Sequence, residues 1–193
     1  MKADIVKKAF EESAALFQLL AKEHTQFVID AASLVENCLR ENGRFFTCGN
    51  GGSAADAQHL ACELSGKFYL NRPGLAAVAL TVNTSALTAI GNDFSYEEVF
   101  SRQLEGLAQP GDVLLGITTS GGSANVVHAM KKAKAMGLKT IGLTGARGDK
   151  FAELCDLCLV VPNADTPRIQ EAHIAAGHMI CQLVEEALFG DAE

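Results

Sequence analysis

Five short apolar runs do most to limit what this chain can become: residues 44–48, 75–80, 113–117, 140–143 and 157–161. Each is rich in Val, Ile, Leu or Phe and is bounded by Gly, Pro, Asn or Thr. Strands that are apolar on both faces must be covered on both faces. Helix-period segments lie between the runs, at 53–64, 96–108 and 123–136, with shorter pieces near 84–90 and 150–154. Alternation of this kind predicts an α/β fold, a three-layer α-β-α sandwich around a five-stranded parallel sheet with right-handed connections.

Helical spacing also marks both ends of the chain. Ala14, Phe17 and Leu20, then Phe27, Ala31, Leu34, Val35 and Cys38, recur at helical intervals over the first 41 residues. A break is expected near 22–25, with Thr25 as cap of a second helix, and Asn42-Gly43 as its stop. The segment 166–188 reads as a long final helix opened by Thr166 as cap and Pro167 in its first turn. No linker or low-complexity stretch interrupts the 193 residues. One domain over 1–193 is expected, with helical segment 1–41 packed on it.

The tetrapeptide GGSA occurs twice, at 51–54 and 121–124, each time after a strand-like run and before a helix. Ligands of open parallel sheets bind outside the carboxyl ends of the strands. Thr118, Thr119, Ser120 and Ser123 cluster at one such end, where glycines admit close approach and a helix N-terminus favours an anion. A phosphate monoester fits this description. Plain helix capping is the other reading, and Ser53-x-x-Asp56 has the form of a capping box. Gly49-x-Gly51-x-x-Ala54 also matches a dinucleotide fingerprint, but the following strand-like run ends in Thr81-Val82-Asn83 without the required carboxylate. No Walker loop is present.

His59 and Glu63 stand four residues apart just beyond the first loop, so both share one helix face. The last helix carries Gln170, Glu171, His173 and His178. Glu171 and His173 read as polar positions facing solvent or another subunit. His178, among Ile174, Ala175, Ala176, Met179 and Ile180, has the neighbourhood of a core histidine. Its company points elsewhere: a carboxylate and a second imidazole near a phosphate-binding loop suit proton transfer between adjacent carbons of a sugar. A divalent metal at such a site stabilises an enediolate.

Net charge is −7 and no run of five basic residues occurs, which argues against nucleic-acid or anionic-membrane binding. No stretch of 18 apolar residues and no signal-type N-terminus is seen, so a cytoplasmic protein with no membrane contact is expected. Cys155 and Cys158 form a CxxC, but no second pair completes a zinc site. They are read, like Cys38, Cys62 and Cys181, as small reduced apolar residues.

Taken together, CGNGGSAADAQHLACELSGKF, NRPG, GND, GDVLLGITTSGGSANV and TPRIQEAHIAAGH resemble the phosphoheptose isomerases, a family of sugar-isomerase (SIS) domain proteins, over nearly the whole chain. The resemblance implies a flavodoxin-like SIS fold, a homotetramer with sites between subunits, and interconversion of sedoheptulose 7-phosphate with D-glycero-D-manno-heptose 7-phosphate. That reaction opens the synthesis of nucleotide-activated heptose for lipopolysaccharide. It implies Glu63 as base at the C1–C2 unit and His178 as its acid–base partner. Thr118, Thr119, Ser120 and Ser123 would hold the phosphate, and Asn50, Gly51, Gly52, Ser53, Asn92, Asp93 and Gln170 would contact the sugar together with Glu63. It also implies zinc, held by His59, Glu63, Gln170 and His178. Gln170 and His178 are eight residues apart, about 12 Å along a helix, so their convergence requires leaning side chains, a bend, or two subunits. Lys67 and Pro167 stand where some relatives carry Arg and Asp, and Asp165 is offered as a substitute carboxylate. A sister group of non-catalytic SIS proteins binds a replication-initiator partner, and sugar-phosphate sensing is a further alternative. In the sister group the position matching Glu63 is not a carboxylate.

Overall fold

In the computed structural model, which describes residues 1–190, two N-terminal helices, α1 (Lys2–Glu23) and α2 (Thr25–Arg40), precede β1 (Phe45–Gly49) and α3 (Gly52–Ser65). Next come β2 (Ala77–Ala79), α4 (Thr84–Asp93), a 3-10 turn (Tyr96–Glu98) and α5 (Ser101–Leu107). The chain continues with β3 (Val113–Thr118), α6 (Ala124–Ala135), β4 (Lys139–Gly145), α7 (Asp149–Ala152), β5 (Leu157–Val161) and α8 (Thr166–Phe189). All strand pairings are parallel, in the order β2-β1-β3-β4-β5. Chain direction across the sheet reverses between β1 and β3, so their loops diverge and open a crevice at the carboxyl edge.

The pleat sorts each strand between two cores. Phe45, Val113, Leu115, Ile117, Ile141 and Leu143 face a layer built by α2, α3 and α8. Phe46, Cys48 and Leu114 face Phe100, Leu104, Val126, Met130 and Phe151 on the other side. Every residue of β3 is buried, as a central strand with two covered faces requires. Thr47 Oγ1 donates to Ala57 O at 2.7 Å, pinning α3 to β1. Gly116 and Gly142 are register partners. A Cβ on Gly116 would meet Met130 Sδ at 2.7 Å, and one on Gly142 would meet Cys155 Sγ at 2.5 Å and Cys158 Sγ at 2.9 Å. Sulfur therefore fills the trough that the two glycines leave in the sheet.

Several local expectations shift. His24, not Thr25, caps α2, and Thr25 Oγ1 instead donates back to Ala21 O. Gly51, not Ser53, is the N-cap of α3; Ser53 already lies within the helix and is buried, so the capping box does not form. Asp165 takes the N-cap position of α8, with Thr166 as the first helical residue. The run 75–80 gives only a three-residue edge strand, because Leu75 N–H bonds Leu64 O at the end of α3 rather than the sheet. The run 96–108 divides into the 3-10 turn and α5. The helical stop at Asn42-Gly43 holds, with Asn42 in the left-handed region at φ 60°.

All six cysteines are free. Burial pushes the thiols of Cys48 and Cys181 up to about 12. The hydrogen bond with Cys158, then burial, raises Cys155 further, which keeps the Cys155 thiol protonated. Cys62 departs from the expected apolar setting and is exposed. Among the described residues no helix is long and apolar enough to cross a membrane.

Candidate active site

α3 and α8 run side by side in the same direction. A Cβ on Gly52 would meet Gln170 Nε2 at 2.5 Å, and one on Gly177 would meet both Leu60 methyl carbons at 2.5 Å. The contact points are eight residues apart on α3 (52 to 60) and seven on α8 (170 to 177), so the pair stays in step to within one residue. Glycine at 177 lets the two backbones approach closely enough for the next residue, His178, to reach α3.

There His178 Nε2 lies 3.1 Å from His59 Nε2, and His59 Nε2 lies 2.8 Å from Glu63 Oε1. The two imidazole rings are tilted at 55° with centroids 4.9 Å apart, and Phe68 stacks against His178 at 5.7 Å. Burial, then the neighbouring His59, lowers the His178 pKa, and the Glu63 carboxylate opposes them without winning. Ligand atoms of His59, Glu63 and His178 all lie within 4.8 Å of one another. A single His59 Nε2–H cannot satisfy every lone pair in this group. Two imidazoles and a carboxylate converging in this way fit a divalent cation, and their N and O donors suit zinc.

Gln170 lies against Gly52 at the N-terminus of α3, about 10 Å along that helix from His59 at 1.5 Å per residue.

The second loop sits at the carboxyl end of β3. Thr118 is buried and its Oγ1 shares a 3.0 Å hydrogen bond with Ser123 Oγ. Ser120 Oγ accepts from Gly122 N–H at 3.2 Å, with Ser120 itself exposed and Thr119 half-buried. Gly121 has φ 70°, and a Cβ there would meet Gly148 Cα at 2.6 Å, so this turn needs glycine twice over. The hydroxyls thus stand around the N-terminus of α6, where the helix field favours an anion.

Asn50 links the two loops. Its Nδ2 donates to Asn125 Oδ1 and its Oδ1 accepts from Asn125 Nδ2, both at 2.8 Å; Tyr96 OH adds a 3.2 Å bond to the same oxygen. Asn125 and Tyr96 were not picked out by sequence reasoning, although Asn125 follows the second GGSA directly in GGSAN, where the first copy reads GGSAA. Asn92 and Asp93 lie exposed at the end of α4 and bond to each other at 2.9 Å. Among the described residues no hydrogen bond ties them to the loops or to the His59–Glu63–His178 group.

Of the two histidines of α8, His173 departs from the exposed or subunit-facing position expected of it. His173 is fully buried, donates Nε2–H to Thr144 O at 3.2 Å, and has its pKa lowered to about 4, chiefly by burial. His178 is half-buried and faces His59. An apolar neighbourhood along the sequence did not decide burial, because α8 packs on different partners along its length. Glu171 accepts from Ser13 Oγ at 2.7 Å and pairs with Arg168 at 2.6 Å, joining α8 to α1. Asp165 serves the start of α8, where its N–H donates to Asn163 Oδ1 at 2.8 Å.

Residues 10–145 match the model of the SIS domain family. The phosphoheptose isomerase of Rhodospirillum rubrum is 50% identical over 181 residues, 94% of this chain and 96% of that protein. Among solved structures, the phosphoheptose isomerase of Neisseria gonorrhoeae is 45% identical, with a TM-score of 0.91 over 96% of this chain and 100% of the other. That of Francisella tularensis is 33% identical, with a TM-score of 0.93 over 96% and 99%. With its sheet order, its paired GGSA loops and its His59–Glu63–His178 group, the chain belongs to the phosphoheptose isomerases of the SIS-domain family.

Proposed function

We propose that the chain interconverts D-sedoheptulose 7-phosphate and D-glycero-D-manno-heptose 7-phosphate through an enediolate, the first step toward nucleotide-activated heptose. The observation that carries this reading is the convergence of a carboxylate and two imidazoles at 2.8 and 3.1 Å, in a chain whose second loop gathers hydroxyls at the carboxyl end of β3. Thr118, Thr119, Ser120 and Ser123 bind the phosphate through hydroxyls and the α6 N-terminus. Asn50, Gly51, Gly52 and Ser53 line the sugar side, with Gln170 against Gly52, and Asn92 and Asp93 also contact the sugar.

Glu63 removes a proton from C1 of the ketose. The released electron pair becomes the C1–C2 double bond, and the carbonyl electrons move to O2, which takes a proton from His178. The O1 proton then returns to His178 as the C1 carbonyl forms, and Glu63 delivers its proton to C2. Nothing is lost or gained overall, as an isomerisation requires. The lowered pKa of His178 keeps its imidazole neutral near pH 7, able both to give and to accept a proton.

His59, Glu63 and His178 are also the residues that would hold zinc, and Gln170 belongs to the ligand set the resemblance implies. When bound, the metal supplies charge stabilisation to the sugar oxygens. We further read residues 1–193 as one SIS unit with the two N-terminal helices packed on it. A homotetramer in the cytoplasm is part of the same proposal. Its support is the apolar face of α1, where Ile5, Val6 and Phe10 are exposed beside the α8 segment that ends at His178. No observation favours the non-catalytic alternative, since Glu63 is present and engaged with His59.

The test is proton NMR of sedoheptulose 7-phosphate in deuterated water, with and without zinc, for the wild type beside Glu63→Gln. The wild type should form the aldoheptose phosphate with deuterium at C1–C2, and Glu63→Gln should be slower by roughly 10²–10⁴-fold. Equal exchange by both proteins would remove Glu63 as the base. No exchange by either would remove the reaction.

A further inference from the structure

We propose that Arg72 and Glu185 are positioning residues, a buried clamp that holds Glu63 and His178 in register; this rests on the isomerase reading above. Both side chains are 1% exposed, and Arg72 Nε donates to Glu185 Oε1 at 2.8 Å. Burial alone would raise the Glu185 carboxyl. The N–H groups of Leu70, Phe68 and Tyr69, together with Arg72, outweigh it and hold the group below the usual carboxylate range.

What the pair holds distinguishes it from an ordinary core ion pair. The last carbonyls of a helix have no partners within it. At the end of α3, Arg72 Nη2 donates to Glu63 O at 2.9 Å, and Nη1 to Leu64 O at 2.8 Å, Gly66 O at 3.2 Å and Pro73 O at 3.0 Å. The guanidinium thus fixes the backbone of the residue whose carboxylate does the chemistry. Glu185 in turn accepts from Phe68 N–H at 3.0 Å, Tyr69 N–H at 2.6 Å and Leu70 N–H at 2.8 Å. Phe68 is the residue that stacks on His178. Glu185 stands seven residues beyond His178 on α8, two turns along the same face. Glu63, Arg72, Glu185, His178 and Phe68 therefore close a ring of contacts between α3 and α8. The proton transfers use neither Arg72 nor Glu185.

Lysine at position 72 keeps the charge but has a single ammonium, which reaches the carboxylate or the carbonyls and not both. Arg72→Lys and Glu185→Gln are compared with wild type and with Val113→Ala, a truncation in the same α2–α3–α8 core that removes no hydrogen bond of the clamp. Three quantities are read on the full chain below its melting temperature. These are kcat and KM for sedoheptulose 7-phosphate, the Kd of its non-isomerisable alcohol, sedoheptitol 7-phosphate, and amide exchange at residues 66–72. A clamp predicts that kcat falls by about 10–100-fold in both variants, while Kd stays within about twofold. Exchange at Phe68, Tyr69 and Leu70 should rise as well. Val113→Ala should keep kcat within about twofold despite its loss of stability.

The proposal is overturned by Arg72→Lys with wild-type kcat, or by a kcat loss no larger than that of Val113→Ala at equal loss of melting temperature. A fall in alcohol affinity that matches the fall in kcat also overturns it, because the phosphate loop would then be disturbed too. Arg72→Lys decides alone where Glu185→Gln does not fold. A wild type that leaves the substrate untouched removes the isomerase reading, and the clamp's role with it.

Discussion

Gly177→Ala isolates the contact that sets the distance between His59 and His178. In an exposed helix this change would gain about 1 kcal/mol. Here the added Cβ falls 2.5 Å from both Leu60 methyl carbons and 3.0 Å from Leu60 Cγ. Ordinary carbon contacts lie at about 3.5–4.0 Å, so Leu60 or α8 must retreat by roughly 1 Å or more. Leu60 is 1% exposed and has no open space to enter. Overpacking of that kind costs about 1–3 kcal/mol, which leaves a net loss on the order of 1 kcal/mol after the helix gain. Catalysis should suffer far more than stability. His178 moves with the residue before it, and a misplacement of about 1 Å costs on the order of 10²-fold in rate. Urea unfolding and NMR-monitored turnover measure the two effects separately. Adding Leu60→Ala should restore part of the rate, because it removes the atoms that the new methyl group meets, even though the double variant is less stable. A Gly177→Ala protein that is more stable than wild type and equally fast would refute the argument, since the helix interface would then yield without moving the imidazole.

The buried His173 makes stability depend on pH. Its folded pKa of about 4 lies below the ordinary 6.5, so between these values the unfolded chain binds more protons and stability falls as pH falls. About 3 kcal/mol should be lost from pH 6.5 to 4. His173→Gln should flatten that slope in urea titrations, and an unchanged slope would contradict the buried neutral state. Gly121→Ala forces a side chain into a φ of 70° and against Gly148 Cα at 2.6 Å. It should destabilise by about 1–2 kcal/mol from backbone strain alone and raise KM for the sugar phosphate more than it lowers kcat. Wild-type KM would separate this loop from phosphate binding.

The sheet was readable because strands enclosed on both faces leave uninterrupted apolar runs, and all five runs became strands. The edge run 75–80 shrank because its backbone had another acceptor at the end of α3, a tertiary fact invisible in a local pattern. Helix caps failed for a related reason: Gly51 at φ 55° takes the N-cap position that the local motif assigns to Ser53. The His59–Glu63 pair followed from helical spacing alone. His178 did not, because whether a residue of a long helix is core or site depends on which neighbour lies opposite it. Hence His173, expected to face solvent or another subunit, is the buried one, and the apolar neighbourhood of His178 does not make it core. Asn125, Tyr96, Arg72 and Glu185 act through contacts between segments more than 40 residues apart or across a loop, and no period in the sequence records such pairings.

The sulfur-filled trough between Gly116 and Gly142 bears on how the protein ages under oxidative stress. A sulfoxide at Met130 needs space for an extra oxygen where the sulfur already lies against the sheet, and Met130 is fully buried. The folded chain thus shields this sulfur, and an oxidant reaches it only while α6 is lifted away. Once oxidised, Met130 cannot settle back against Gly116. Oxidation of the open form is then irreversible, and the rate of inactivation follows the fraction of time that the helix beginning at the phosphate loop spends open.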